Sequence, residues 1–232
     1  MVQILGDIHG NFQKLYMKAM AVKDTTIIQV GDFGVGFRNR ARMDEEMVDI
    51  NKKLAKNNNN LLVIRGNHDD PSYFDGNYNF SNIEFLPDYT VRNIEGRSYL
   101  FVGGAISIDR CQRKAGVDYW LDEQFILDID KLNAIEENID VVIAHSSPSF
   151  CEPVHFNELV WYFIAQDPSL HNTLLEERER FKVMYETLKL NGNRVEYWFN
   201  GHFHFTKEEL IGDTNFILLG IDKFYEFNNY YE

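Results

Sequence analysis

Short apolar runs, each closed by a polar residue or a glycine, recur along the chain at 2–5, 25–30, 61–64, 99–102, 141–144 and 195–199. Their brevity and their β-branched and aromatic content suit buried strands. Between them the apolar positions change to helical spacing. Phe12, Leu15, Tyr16 and Ala19 mark one helix, and Met43, Met47, Ile50 and Leu54 mark a second. Leu132 and Ile135 mark a third, with Asp128 or Asp130 placed to cap its start. The asparagine run 57–60 reads as a loop after the second helix. Helical spacing extends furthest over 156–190, where Asp167-Pro168 should divide it into two helices. That stretch would form either a cap over a site or a surface decoration. Strands alternating with helices indicate an α/β fold. Segments 196–199, 207–211 and 215–219 follow one another as strands, with Gly212-Asp213 as a turn, so mixed sheets are expected. No repeat and no Gly/Ser/Pro-rich linker divides the chain. Residues 1–232 are therefore expected to form a single domain with a helical insert at about 152–190.

Composition narrows the functional classes. A net charge of -13 over 232 residues argues against a surface that grips long duplex nucleic acid, which needs clustered Lys and Arg. It leaves open a site whose positive charge comes from bound metal. Cys111 and Cys151 form no CxxC pair, which suits a reducing cytoplasm better than a disulfide framework. No apolar run approaches the length of a membrane span, and the N-terminus shows no secretory pattern.

Metal-binding side chains concentrate at the carboxyl ends of the apolar runs. Asp7 and His9 follow the first, Asp32 the second and Asn67 the third; His145 follows the fifth, and His202 and His204 the sixth. In open α/β sheets ligand sites form at these strand ends, so the groups can converge on one crevice. Asp7 and His9, like His202 and His204, are two apart, and in extended backbone such residues point to the same side. Any one of these pieces is a common coincidence; five in chain order are not. Carboxylate, amide and imidazole ligands without thiolates suit Mn, Fe, Zn or Ni rather than a structural zinc site. Two divalent ions would bring four positive charges against the carboxylates of Asp7 and Asp32, attracting phosphate and holding a hydroxide for in-line attack.

The series DxH, GDxG, GNHD, H and GHxH, running from Asp7 to His204, resembles the calcineurin-like metallophosphoesterase family. The segment VGGAISIDR, 102–110, resembles a version found in small bacterial and phage-encoded members. The resemblance implies a sandwich of two mixed β-sheets flanked by α-helices, with a dinuclear metal site at one edge. Manganese is the first candidate among the metals. One ion would take Asp7, His9, Asp32 and His204, and the other Asp32, Asn67, His145 and His202, with Asp32 bridging. In the protein Ser/Thr phosphatases of this superfamily the second motif continues into an Asp-Arg pair. Here Asp32 is followed by FGVGF, which removes the usual acidic partner of the third-motif histidine.

That histidine, His68, is the candidate catalytic residue, protonating the leaving oxygen or stabilising its charge; otherwise it only orients a neighbour. Arg65 and Arg110 are candidate substrate contacts, Arg65 because it precedes Gly66-Asn67-His68, and Arg110 if its loop borders the cleft. Asp109 and Arg113 could touch substrate on the same condition. Read blandly, Arg65 is a solvated strand-end charge, and Asp109, Arg110 and Arg113 are solvated loop charges. His155 and His171 read as surface or core residues, and Cys151 as a small buried one. No nucleophile elbow, dinucleotide fingerprint or P-loop is present. The expected activity is metal-dependent phosphate-ester hydrolysis. The alternatives are a diesterase or nuclease acting on nucleotides or nucleic acid, or a non-catalytic scaffold on the same fold.

Overall fold

The computed structural model describes residues 1–227. One sheet is ordered β12-β1-β2-β3-β5-β4, from β1 (Val2–Leu5), β2 (Thr26–Gln29), β3 (Asn60–Val63), β4 (Asn79–Phe80), β5 (Ile83–Phe85) and β12 (Phe224–Phe227). The other is ordered β10-β11-β9-β8-β7-β6, from β6 (Thr90–Ile94), β7 (Arg97–Val102), β8 (Val141–Ala144), β9 (Tyr197–Asn200), β10 (Lys207–Ile211) and β11 (Thr214–Leu218). Both sheets follow one plan: four parallel strands in the middle and an antiparallel strand at each edge. The fold is thus the expected α/β sandwich of two mixed sheets.

The sheets face each other through Val2, Ile4, Ile28, Val30 and Leu62 on one side and Tyr99, Phe101, Val141, Ile143 and Phe199 on the other. The opposite face of the first sheet is covered by α1 (Phe12–Ala21) and α2 (Arg40–Lys56), through Leu15, Ala19, Met43, Met47, Ile50 and Leu54. On the second sheet, α3 (Ile129–Asn133) contributes Leu132, and α5 (Ser169–Leu190) contributes Phe181, Met184 and Leu188. Central strands buried on both faces read as continuous apolar runs rather than alternating ones. That is the pattern of 2–5 and 141–144.

Details differ from the sequence reading. Tyr16 lies on the open side of α1, leaving Phe12, Leu15 and Ala19 as its buried residues. Asp128 caps α3 through the Lys131 amide, and Ile135 falls beyond its end. The asparagine run is not a plain loop. Asn59 is fully buried, its side chain bonding the Ala19 and Val22 carbonyls and the Thr25 amide, and Asn60 opens β3. An amide that satisfies three buried backbone groups at a helix-to-strand crossing replaces an apolar residue there. Asp167-Pro168 does separate α4 (Glu158–Gln166) from α5. These two helices stand between β8 and β9, with α5 closing the second sheet.

Candidate metal centre

Loops at the carboxyl ends of β1, β2 and β3 in one sheet and of β8 and β9 in the other meet at one edge of the sandwich. They bring Asp7, His9, Asp32, Asn67, His145, His202 and His204 together. Ligand atoms of Asp7, His9, Asp32 and His204 all lie within 4.8 Å of one another. Beside them, Asn67 Oδ1 is 3.2 Å from His145 Nε2 and 2.9 Å from His202 Nδ1, and His145 Nε2 is 3.2 Å from Asp32 Oδ1. Asp32 thus touches both groups.

The backbone achieves this differently from the extended pairs expected. His9, Asp32, His202 and His204 all have positive φ, at 45°, 56°, 70° and 61°. Left-handed backbone costs a non-glycine residue of order 1–3 kcal/mol and persists where surrounding bonds enforce it. Here the amides of Ile8 and His9 both reach the Asp32 carbonyl, at 3.1 and 2.9 Å, and tie the first loop to the second. Glycine is required where these loops touch the carboxylates: a Cβ at Gly66 would collide with Asp32, and one at Gly201 with Asp7.

Asp69 fixes the loops more firmly. Fully buried, it accepts from the amides of Phe33 (3.1 Å), Gly34 (2.6 Å), Val35 (3.1 Å) and Gly66 (2.8 Å). One carboxylate therefore sets the positions of both Asp32 and Asn67. The Asn67 amide is turned by Ser107, whose Oγ accepts from Nδ2 at 3.0 Å and lies 2.8 Å from Glu123. This directs Oδ1 at the imidazoles. His145 has its tautomer set by the Val30 carbonyl, which accepts from Nδ1 at 2.8 Å and leaves Nε2 facing Asp32.

Charge in the cluster is poorly matched by protein alone. Asp7 and Asp32 are both fully buried, and among the described residues Asp7 Oδ1 and Asp32 Oδ2 have no hydrogen-bond partner. Burial, opposed by His145 and reinforced by Asp32, holds the Asp7 carboxyl well above its ordinary range. Burial pulls the His145 imidazole down, but Asp32 and Asp7 outweigh it and push its pKa up to about 10. The cluster draws in a proton where a cation would serve. His9 Nε2 and His204 Nε2 face each other at 3.1 Å, so both nitrogens can be offered to one ion. Orphaned carboxylate oxygens ringed by imidazole and amide ligands fit divalent metal.

His68 sits beside this group, its ring 4.8 Å from that of His9. Among the described residues no carboxylate bonds its ring; Arg113 does instead, with Nη2 3.0 Å from Nε2. Burial first, then the Arg113 and His9 charges, outweigh Asp32 and lower its pKa to about 4. Arg113, weighed between a substrate contact and a solvated loop charge, lies beside the cluster, bonded to His68 and paired with Asp109. Asp69, Ser107 and Glu123 were missed, although Asp69 directly follows GNH.

The two arginines named as substrate contacts are committed elsewhere. Arg65 is 6% exposed, and its five N–H groups go to Asp88 and to the carbonyls of Asp122, Glu123 and Gln124. It is neither solvated nor free for phosphate, because a buried guanidinium must spend all its donors. Arg110 pairs with Asp167 at 2.7 Å and bonds Ser169, anchoring its loop to the start of α5. His171 stacks on Trp161, and Cys151 is buried with its thiol pushed up to about 12 by desolvation. His155, read as surface or core, lines the cavity beside the cluster.

The sequence profile of the calcineurin-like phosphoesterase family matches residues 2–205. No curated protein matches the chain. Among solved structures, the TT1561 protein of Thermus thermophilus aligns at TM-score 0.53 and 11% identity, over 94% of this chain and 89% of that one. The phosphopantetheinyl hydrolase of Mycobacterium tuberculosis aligns at 0.50 and 12%, over 95% and 89%. A Staphylococcus aureus protein described as a 5′-nucleotidase aligns at 0.51 and 14%, over 95% of this chain but 48% of its own length. These likenesses concern the fold.

Proposed function

The chain belongs to the calcineurin-like phosphoesterase family, and from that membership we propose that it hydrolyses phosphate esters with two divalent metal ions held at this cluster. One observation carries the proposal. Two fully buried carboxylates each keep an oxygen without a partner, inside a ring of four imidazoles and one amide. Buried charge left unpaired is expensive, and bound cations remove that cost.

In this reading Asp7, His9, Asp32 and His204 hold one ion, Asp32, Asn67, His145 and His202 hold the other, and Asp32 is shared. The donors suit Mn, with Fe, Zn or Ni chemically acceptable. Bound there, such ions supply positive charge to the phosphoryl oxygens and a hydroxide nucleophile at neutral pH. The protein's part is to hold the ligands still, through Asp69, Ser107 and the Val30 carbonyl. His68 is assigned to the leaving oxygen. With its pKa lowered to about 4 the ring is neutral at pH 7 before substrate arrives, and a phosphate dianion beside it raises that value. Arg113, paired with Asp109 at 2.6 Å, brings its guanidinium to the same end. Residues 1–232 act as one domain in this proposal, with the helical segment at about 152–190 as its insert. Free Cys111 and Cys151 are consistent with a cytoplasmic setting.

The test loads the protein with Mn, removes excess metal and measures the bound ions. It then follows hydrolysis of p-nitrophenyl phosphate and bis-p-nitrophenyl phosphate before and after a chelator. Two ions per chain and chelator-sensitive turnover are expected. One ion or none at saturation removes the dinuclear assignment, and no turnover of either ester removes the activity. The ratio of the two rates separates a monoesterase from a diesterase.

A further inference from the structure

A cavity of about 620 Å³ opens directly off the cluster. Asp32, Asn67, His68, His202 and Arg113 line the end at which a phosphate would bind. Elsewhere the wall is mostly apolar, with Asp109, His155, Asn157, Glu177 and Arg178 as its polar members. Ile108 lies in the loop after β7, Phe156, Val160 and Phe163 lie before and along α4, Leu174 lies on α5, and Phe205 follows His204. Leu159 lines the same space and is 56% exposed, an apolar side chain left open to an incoming group. Ligand cavities of roughly 300–1,000 Å³ bury most of a small organic molecule.

We propose that the substrates are phosphate esters whose organic group is a bulky apolar body, aryl or alkyl, seated against α4 and α5 with its phosphate at the cluster. The assignment rests on the phosphoester-hydrolase reading above. Continuity carries it, because the polar and apolar parts belong to one cavity. An ester held by its phosphate at the inner end has the apolar wall next to its organic group. The insert therefore sets specificity rather than chemistry.

The test uses linear alkylphosphonates from ethyl to octyl, below their micellar concentrations, titrated calorimetrically into Mn-loaded protein. Burying each methylene should tighten binding about three- to four-fold, or about 100-fold from butyl to octyl. The double variant Leu159→Ser, Val160→Ser should flatten that slope. Its Mn content, measured on the same sample, reports whether the cluster is intact. A flat series in the parent, with p-nitrophenyl phosphate still hydrolysed, overturns the substrate assignment and leaves the hydrolase reading standing. A slope unchanged in a metal-replete double variant overturns the location. If no ester is turned over at all, the hydrolase reading fails and takes this assignment with it.

Discussion

Removing the Asp69 carboxylate tests whether one buried side chain holds the loops that present Asp32 and Asn67. In Asp69→Ala four buried amides, those of Phe33, Gly34, Val35 and Gly66, lose their acceptor together. Each such orphan costs about 1–3 kcal/mol, a gross penalty of roughly 4–12 kcal/mol. Two effects reduce it. Burial, and then the charge of Asp32, raise the Asp69 pKa despite the four amides, so deleting the carboxyl returns part of that cost. Water entering the vacated space satisfies some donors. A net loss of about 3–5 kcal/mol is expected, at the severe end for one substitution. Asp69→Asn keeps one acceptor oxygen and turns an NH₂ towards two of the amides, so it should fall between parent and alanine variant. Urea denaturation of chelator-treated protein measures both losses without metal binding contributing. Mn titration of the same variants, under conditions where they remain folded, should show weakened binding. A loss under about 1 kcal/mol for Asp69→Ala, with unchanged Mn affinity, would refute the argument.

Three further outcomes follow from the same geometry. Asp32→Asn should remove both ions and nearly all turnover, while Asn67→Ala should weaken mainly one; elemental analysis of each variant after Mn loading checks this, and equal metal content in both would count against a shared Asp32. Glu177 on α5 is buried with Oε1 unpartnered, and desolvation pushes its pKa up from 4.5 to about 7. Because the folded pKa exceeds the unfolded one, stability is lost as pH rises from about 4.5 to 7, and Glu177→Gln should gain about 2–3 kcal/mol over the parent at pH 8 and little at pH 4.5; a gain independent of pH in urea denaturation would contradict this. His68→Ala should slow an alkyl phosphate by about 10²–10⁴-fold and p-nitrophenyl phosphate far less, since p-nitrophenolate needs little help to leave; equal losses with metal retained would make His68 a positioning residue.

Central strands were legible in the sequence because their position forces a readable pattern. The six apolar runs read as strands coincide with β1, β2, β3, β7, β8 and β9 to within two residues, each buried on both faces or nearly so. The strands that escaped notice are β4, β5, β6 and β12. Three of these lie at sheet edges, and β5 is three residues long. Edge strands such as Thr90–Ile94 are half-buried or exposed throughout and carry Arg and Asn, so neither hydrophobic periodicity nor length distinguishes them from loop. Phe224–Phe227 pairs with Val2–Leu5 across almost the whole chain, and no local signal encodes a partner so distant.

Chemical identity and geometry separated at the candidate site. The seven proposed ligands stood out because Asp, Asn and His at the ends of apolar strands are costly to place without a purpose. How they converge was not readable, since left-handed backbone at His9, Asp32, His202 and His204 contradicts local preference and is enforced from elsewhere. The enforcing groups look ordinary in sequence. Asp69 closes GNHD but is followed by a second aspartate and was read for no role of its own, Ser107 sits in a small-residue stretch, and Glu123 belongs to a loop with no motif at all. Arg65 shows the converse failure. Its place beside Gly66-Asn67-His68 suggested phosphate, yet its five donors bind Asp88 and three loop carbonyls. A guanidinium beside the ligand loop is thus spent on supporting it, while Arg113, 45 positions downstream of His68 and outside every motif, bonds His68 at the cavity wall. Sequence proximity to a motif located the loop; the partners of each guanidinium decide which arginine faces the cavity, Arg113 bonding His68, Asp109 and the Asp118 carbonyl at its wall.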